Sequence, residues 1–297
     1  MPAELIDGRA IAKKIRADVA ERAKKLAQGG LRPGLAVVMV GDNPASAVYT
    51  AAKSKAAEEA GFYSLNLRLP ADTSEADLLS RVDALNSDPK IHGILVQMPL
   101  PKQIDPDTVI RRIDPKKDVD GFHPVNVGKM LIGERDGFIP CTPAGIQVLL
   151  KESGVKTPGK DCVIIGRSNI VVKPMAALMM QDKENANCTV TVCHRHTVDL
   201  KAHTRAADIL IVAAGRPRIV TADMVKPGAV VIDVGTNRVN DPSTKSGTRL
   251  QGDVDFESVR QVASKITPVP GGVGPMTIAM LMANTVRAAE MTLRTRV

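Results

Sequence analysis

The sequence predicts an α/β protein of two domains, each with a mainly parallel sheet. The chain has 297 residues, which is enough for two domains of about 150 residues. Short apolar runs typical of buried strands alternate with longer helical segments, and this is the pattern of βαβ units. Residues 139–143 form a short linker that contains two prolines. We therefore place the boundary between the domains at this linker.

Composition favours a globular protein of the cytoplasm. Hydrophobic residues make up 44% of the chain and charged residues 24%, both ordinary values. The four cysteines form no C-x-x-C pair, so we expect reduced thiols rather than disulfides or a zinc site. The first residues lack the apolar core of a signal peptide. Prolines and glycines interrupt the longest uncharged stretch, residues 266–286, so we expect no membrane span.

We interpret the basic residues behind the net charge of +8 as solvated helix faces; the alternative is a field that favours polyanionic small molecules. Aromatic residues account for only 2% of the chain and tryptophan is absent. Stacking platforms for single-stranded nucleic acid are therefore not expected.

Each half of the chain has its own series of elements. In the first half, an N-terminal helix precedes strands at residues 35–40, 65–69 and 93–98, with helices at 46–61 and 74–86. In the second half, a helix at 144–151 precedes strands at 162–165, 189–193, 208–212 and 229–234, a loop or hairpin at 240–249, and a final helix after Pro275. The strand spacing of the second half is typical of a nucleotide-binding sheet.

Tyr49 and Lys53 stand four residues apart in a predicted helix, so their side chains share one face. Their neighbours are small and apolar, which favours a partly dry pocket where a lysine can lose its proton. Taken alone, the pair fits better with a surface helix whose tyrosine lies over a lysine stem, because lysine is mostly a surface residue. The rest of the sequence has to decide between these interpretations.

Gly166-Arg167-Ser168 follows a predicted strand and precedes a helix that we expect to begin near Pro174. Glycine lets the backbone approach a phosphate, and the start of a helix attracts one. The motif is not G-x-G-x-x-G, so by itself it also fits a plain turn between a strand and a helix.

Arg195 follows the second strand of the predicted nucleotide-binding sheet. This is the position at which an acidic residue normally selects an unphosphorylated ribose. Together with Arg167, Arg195 fits a 2′-phosphate, which indicates NADP. We interpret the neighbouring His194 and His196 as structural, so we predict no metal. Gly215 and Gly235 follow two further strands, at the edge where open α/β sheets bind ligands.

Gln97 ends a predicted strand, and Asp118 and Asp120 follow a basic loop. No further carboxylates complete a metal site around this pair. A single carboxylate suits two parallel N–H donors of a flat heterocycle. A turn stabilised by aspartate side chains is the alternative.

Several motifs occur together and in order: Ser46-x-x-Tyr49-x-x-x-Lys53, Gln97-Met-Pro-Leu-Pro101, Lys117-Asp-Val-Asp-Gly121, Pro140-Cys-Thr-Pro143, Gly166-Arg-Ser168 and Pro268-Val-Pro-Gly-Gly-Val-Gly-Pro-Met-Thr277. On these motifs the chain resembles the bifunctional methylenetetrahydrofolate dehydrogenase/methenyltetrahydrofolate cyclohydrolase family. The resemblance implies a catalytic, folate-binding domain (residues 1–140 plus 275–297) and a Rossmann-type NADP-binding domain (residues 141–274). It also implies an active-site cleft between them, a homodimer, and a C-terminal helix that returns to the first domain.

The resemblance further implies the roles of individual residues. Lys53 is implied to be the catalytic lysine, and Tyr49 its neighbour over the folate. Gln97 is implied to tune Lys53. Asp120 is implied to be the carboxylate that holds the pterin. Pro268 and Gly272 complete the substrate-binding set. The implied cofactor-binding residues are Gly166, Arg167, Ser168, Arg195 and Thr236.

Two residues depart from the family pattern: Val172 stands where glycine is common, and Thr236 replaces the more usual isoleucine. Both affect the cofactor side, so a cyclohydrolase with a weakened cofactor site is one alternative. A non-catalytic NADP- or folate-binding protein is another, and the joint presence of Lys53, Gln97 and Asp120 opposes it. A short-chain dehydrogenase is excluded because its nucleotide turn precedes the Tyr/Lys pair.

Overall fold

The computed structural model describes residues 1–244 and 247–294, and it shows alternating strands and helices. The strands are β1 (Glu4–Leu5), β2 (Gly34–Val40), β3 (Tyr63–Leu69), β4 (Gly93–Val96), β5 (Asp161–Ile165), β6 (Thr189–Cys193), β7 (Ile209–Val212), β8 (Val230–Asp233), β9 (Asn237–Asn240), β10 (Thr248–Gln251) and β11 (Lys265–Ile266). The α-helices are α1 (Gly8–Gln28), α2 (Pro44–Glu59), α3 (Glu75–Ser87), α4 (Pro106–Arg112), α5 (Pro124–Leu131), α6 (Cys141–Glu152), α7 (Val172–Met179), α8 (Leu200–Ala206), α9 (Phe256–Val259) and α10 (Val273–Arg294).

The chain forms two compact units. The three-stranded unit comprises Lys13–Cys141 and the chain from Ile278 onward, and the six-stranded unit comprises Met1–Ala12 and Thr142–Thr277. The first twelve residues therefore group with the six-stranded unit, whereas the domain bounds implied by the resemblance place them in the first domain. The reason is that β1 pairs in parallel with β11, Glu4 opposite Lys265 and Leu5 opposite Ile266.

The three-stranded unit is built on a parallel sheet in the order β3-β2-β4. All seven residues of β2 are buried because the strand has a partner on each side. Phe62 and Leu35 pack with Leu281, Met282 and Val286 of α10 in one core cluster. The C-terminal helix thus returns to this unit, as the resemblance implied.

The six-stranded unit contains a parallel sheet in the order β1-β11-β8-β7-β5-β6. The chain leaves β5 toward β6 and then returns to place β7 on the other side of β5. This reversal makes a topological switch point at the carboxyl ends of β5 and β7, where such sheets bind ligands. The predicted parallel α/β architecture is confirmed.

One local prediction needed adjustment, and another is confirmed. The proline-flanked linker is shorter than expected, because α6 begins at Cys141 and holds Pro143 in its first turn, a position that proline tolerates. The polar segment at 240–249 belongs to a hairpin, in which β9 and β10 pair antiparallel from Asn237 opposite Gln251 to Asn240 opposite Thr248; its residues 245 and 246 lie outside the described residues.

Candidate active site

Lys53 lies in α2 at the carboxyl edge of the three-stranded sheet, and its side chain is 7% exposed. Its Nζ donates a hydrogen bond of 2.9 Å to Oε1 of Gln97. Tyr49 lies one turn earlier on the same helix and is half-buried. The surface-helix interpretation is therefore wrong for Lys53, because a buried side chain with a specific amide partner is not a solvated surface group.

Gln97 directly follows β4, and its backbone N–H donates to Val38 O at 2.8 Å. Its side-chain Nε2 donates to the carbonyl of Met98 at 2.7 Å. Because the amide nitrogen is held in this way, the amide oxygen faces Lys53. Gln97 therefore offers the lysine a neutral acceptor in a defined orientation.

Asp120 lies close enough to Lys53 for the two charges to interact. Burial raises the pKa of the Asp120 carboxyl, while the positive charge of Lys53 and a hydrogen bond from the Cys141 thiol oppose this rise. Burial in turn raises the pKa of the Cys141 thiol well above its ordinary value. The structure thus brings together a buried amine, an amide oxygen and a carboxylate.

The two aspartates of the Asp118-Val-Asp120 motif have different surroundings. Asp118 is 2% exposed and accepts hydrogen bonds from the backbone N–H groups of Gly121, Phe122 and His123, at 3.1, 3.2 and 2.8 Å, and from Asn126 Nδ2 at 2.8 Å. Burial raises its pKa to about 6. Asp118 therefore shapes the turn, and this leaves Asp120 available to a ligand.

Position 121 of this turn accepts only glycine. Its φ is +77°, and a Cβ at this position would lie 2.6 Å from Ile139 C and Pro140 N. The close approach keeps the Asp120 turn against the segment that leads to Cys141. Composition indicates Cys141 only as a reduced thiol. Its place in the Pro-Cys-Thr-Pro motif is the sequence signal that could have indicated its position beside Asp120.

Gly166 follows β5 at the switch point of the six-stranded sheet, with φ at +130°. A Cβ here would lie 2.4 Å from Ala213 O and 2.8 Å from Val172 Cγ2. Val172 is fully buried, and its side chain packs against Gly166.

Ser168 precedes α7, which begins at Val172, two residues before Pro174, and has Val171 as its N-cap residue. The Oγ of Ser168 accepts from the backbone N–H groups of Val171 and Val172, both at 3.3 Å. These groups lie at the start of a helix, where an anion is stabilised. Ser168 and the exposed Arg167 thus lie beside the start of α7.

Arg195 follows β6, which pairs with β5 so that Ile165 lies opposite Cys193. Arg167 and Arg195 therefore leave the sheet at the same edge from adjacent strands, and both side chains are exposed. Arg195 Nε donates to His196 Nε2 at 3.0 Å, and the backbone N–H of His196 donates to His194 Nδ1 at 3.2 Å. The two histidines thus make hydrogen bonds within the loop, in agreement with the structural role predicted for them.

The remaining predicted residues also lie in the six-stranded unit. Thr236 is exposed just after β8. Pro268 and Gly272 form a tight turn after β11, in which Gly272 N donates to Pro268 O at 2.8 Å. A Cβ on Gly272 would lie 2.6 Å from Thr267 Cβ, so the turn has no room for a larger residue.

Within residues 1–244 and 247–294, no group of three or more His, Cys, Asp or Glu side chains could hold a metal ion. Over the same described ranges, no helix combines the length and the apolar character needed to cross a membrane.

Two models of one protein family match the chain. The model for the catalytic domain of tetrahydrofolate dehydrogenase/cyclohydrolase matches residues 6–120. The model for the NAD(P)-binding domain of the same family matches residues 140–293. Together they account for both halves of the sequence.

Similar full-length proteins agree with this match. The chain is 57% identical over 291 residues to the bifunctional protein FolD of Syntrophus aciditrophicus, covering 98% of this chain and 99% of that protein. It is 58% identical over 290 residues to the FolD protein of Burkholderia mallei, covering 98% of each.

Solved structures give the same result. The bifunctional methylenetetrahydrofolate dehydrogenase/cyclohydrolase of Campylobacter jejuni superimposes with a TM-score of 0.92 at 49% identity, covering 98% of this chain and 99% of that one. The enzyme of Trypanosoma brucei, solved with NADP and an inhibitor, gives a TM-score of 0.94 at 42% identity and covers 99% of both chains. This chain belongs to the tetrahydrofolate dehydrogenase/cyclohydrolase family.

Proposed function

We propose that this protein is a bifunctional enzyme of one-carbon folate metabolism. It oxidises 5,10-methylenetetrahydrofolate to 5,10-methenyltetrahydrofolate with NADP⁺, and it then hydrolyses this product to 10-formyltetrahydrofolate. The observation that carries the proposal is the hydrogen bond between buried Lys53 and Gln97, at 2.9 Å, with Asp120 within electrostatic reach.

Hydrolysis requires a group that first accepts a proton and then returns one. When water adds to the methenyl carbon, the neutral amine of Lys53 takes a proton from the water. Ring opening then breaks the bond between this carbon and N5, and the Lys53 ammonium protonates N5 while the hydroxyl proton leaves to solvent. Positioned proton transfer of this kind typically contributes 10²–10⁴-fold to a rate.

Gln97 and Asp120 support this lysine in different ways. The neutral amide of Gln97 orients the amine without the added negative charge that would hold it as an ammonium. Asp120 accepts the two parallel N–H donors of the pterin, as a carboxylate does for a guanidinium. Tyr49 lies over the ring, one turn from the lysine.

Hydride transfer needs orientation more than acid–base catalysis. Bound NADP⁺ supplies the hydride acceptor. The residues proposed to bind it are Gly166, Arg167, Ser168, Arg195 and Thr236, with Pro268 and Gly272 contacting the folate. Arg167 and Arg195 provide two guanidinium groups for the 2′-phosphate.

The decisive experiment gives purified protein methylenetetrahydrofolate with NADP⁺ or NAD⁺ and follows the reduced cofactor; in a parallel assay it gives the protein methenyltetrahydrofolate and follows the loss of methenyl absorbance. We expect reduction of NADP⁺ in preference to NAD⁺, followed by hydrolysis. Hydrolysis without reduction of either cofactor would leave a cyclohydrolase alone. Absence of both reactions would leave a binding protein.

Arg195→Ala tests the 2′-phosphate assignment in the same assay. Losing a charge-assisted hydrogen bond worth about 1.5–3 kcal/mol should raise the KM for NADP⁺ by about 10- to 100-fold and leave the KM for NAD⁺ unchanged. Arg205→Ala is the matched control, since Arg205 is exposed in α8 just before β7, at the opposite edge of the sheet. An unchanged cofactor preference would refute the assignment.

We also propose a cytoplasmic homodimer. The family resemblance supports the dimer. A second support is β6, which is an edge strand of the six-stranded sheet and exposes Val192, because an unpaired edge strand can pair with another chain. Four buried free thiols fit a reducing compartment. Light scattering should give twice the mass of one chain, and the mass of a single chain would refute the dimer.

A further inference from the structure

A loop that follows β7 forms one wall of the crevice at the switch point. It contains Ala213, Ala214 and Gly215. Gly166 forms the opposite wall, and the two walls approach so closely that a Cβ on Gly166 would lie 2.4 Å from Ala213 O. The conformation of this loop therefore sets the shape of the crevice.

Asp253 holds this loop from behind. It is fully buried, and its Oδ2 accepts from the backbone N–H groups of Ala214 and Gly215 at 2.7 and 2.8 Å. Its Oδ1 accepts from Asn237 Nδ2 at 2.7 Å. Its own N–H donates to Asp233 Oδ1 at 2.9 Å. The Asp253 carboxylate thus joins the loop after β7 to the start of β9, and its backbone N–H ties it to the end of β8.

These hydrogen bonds orient two peptide groups. A trans peptide is planar, with its C=O opposite its N–H. Since the N–H groups of Ala214 and Gly215 face Asp253, the carbonyl oxygens of Ala213 and Ala214 face the other way. Ala213 O lies against Gly166, at the edge of the sheet where the switch point opens a crevice beyond the carboxyl ends of β5 and β7.

We propose that Asp253 is a positioning residue for the cofactor, and that it acts by turning the carbonyls of Ala213 and Ala214 into the crevice. Two fixed acceptors there suit the hydroxyl and amide N–H donors of a bound dinucleotide. This inference rests on the proposed dehydrogenase function, but it concerns only the cofactor half of that function.

Asp253→Asn tests the proposal with little change in size. An asparagine has one acceptor atom where the aspartate has two, so it cannot satisfy both the loop and Asn237. We expect the KM and the Kd for NADP⁺ to rise by about 10- to 100-fold, with the KM for folate and the rate of methenyl hydrolysis unchanged. Asp223→Asn, which removes an exposed carboxylate paired with Lys201 in the same unit, should change none of these values.

The variants also separate positioning from a merely structural role. An unchanged Kd for NADP⁺ in folded Asp253→Asn, or an equal loss of both activities, would overturn the proposal. If that variant does not fold, Asn237→Ala decides, because it removes one donor to Asp253 and should raise the Kd for NADP⁺ by a smaller factor; no rise would overturn the proposal. Failure of the wild-type protein to reduce NADP⁺ would instead refute the dehydrogenase function.

Discussion

Lys53→Met is expected to lower the rate of methenyl hydrolysis by about 10²–10⁴-fold, the usual contribution of a positioned proton-transfer group. Methionine fills a similar volume but carries no proton, so water addition and protonation of N5 both lose their partner. Hydride transfer needs no acid or base at this position, and NADP⁺ binding should remain measurable. The measurement is the decay of methenyl absorbance beside a titration with NADP⁺.

Lys55→Met provides a matched control on the same helix. Lys55 is exposed, and its Nζ lies 3.9 Å from Glu59 Oε1, so its loss should leave hydrolysis unchanged. Exposed ion pairs of this kind contribute little to stability. Normal hydrolysis in Lys53→Met would reject the proton-transfer role, and equal losses in both variants would point to the helix instead of the amine.

Asp120→Asn is expected to impair both reactions together, because both use the same bound folate. An asparagine offers one acceptor to the two parallel donors of the pterin and turns its own NH₂ toward the other donor. Hydrogen bonds to charged groups are worth about 1.5–3 kcal/mol, so kcat/KM should fall by about 10- to 100-fold for the dehydrogenase and for the cyclohydrolase. The two assays are run side by side on one preparation.

The control for this variant is Asp107→Asn, which changes an exposed carboxylate in the first turn of α4 and should leave both activities intact. A selective loss of one activity in Asp120→Asn would contradict a shared pterin contact. Such a result would assign Asp120 to a single chemical step.

Local sequence patterns were sufficient for the longer strands and helices, but they did not predict the short helices α4, α5, α8 and α9. Apolar runs such as that of β2, fully buried in the structure, have a period and length that predict a strand without any knowledge of their partners. The two-residue strands β1 and β11 were not predicted either, because two residues are too few to show a period. Their pairing joins opposite ends of the chain, and no local pattern encodes that contact.

Within the active site, the motifs named Tyr49, Lys53, Gln97 and Asp120, and the structure brings the last three together. The sequence left open which aspartate of Asp118-Val-Asp120 would meet a ligand. The structure distinguishes them through the donors: three backbone N–H groups and Asn126 enclose Asp118. Sequence reasoning also missed Asp253, because its partners Ala214 and Gly215 belong to another strand end.

The sequence by itself determined the α/β class, the family, and the side chains available for chemistry, because these depend on local period and on motifs that the chain carries in order. Only the tertiary structure decided that Lys53 is buried against Gln97, that Val172 packs against Gly166, and that the first twelve residues complete the larger sheet. Burial and hydrogen bonding between distant segments depend on packing, and packing is a property of the folded chain as a whole.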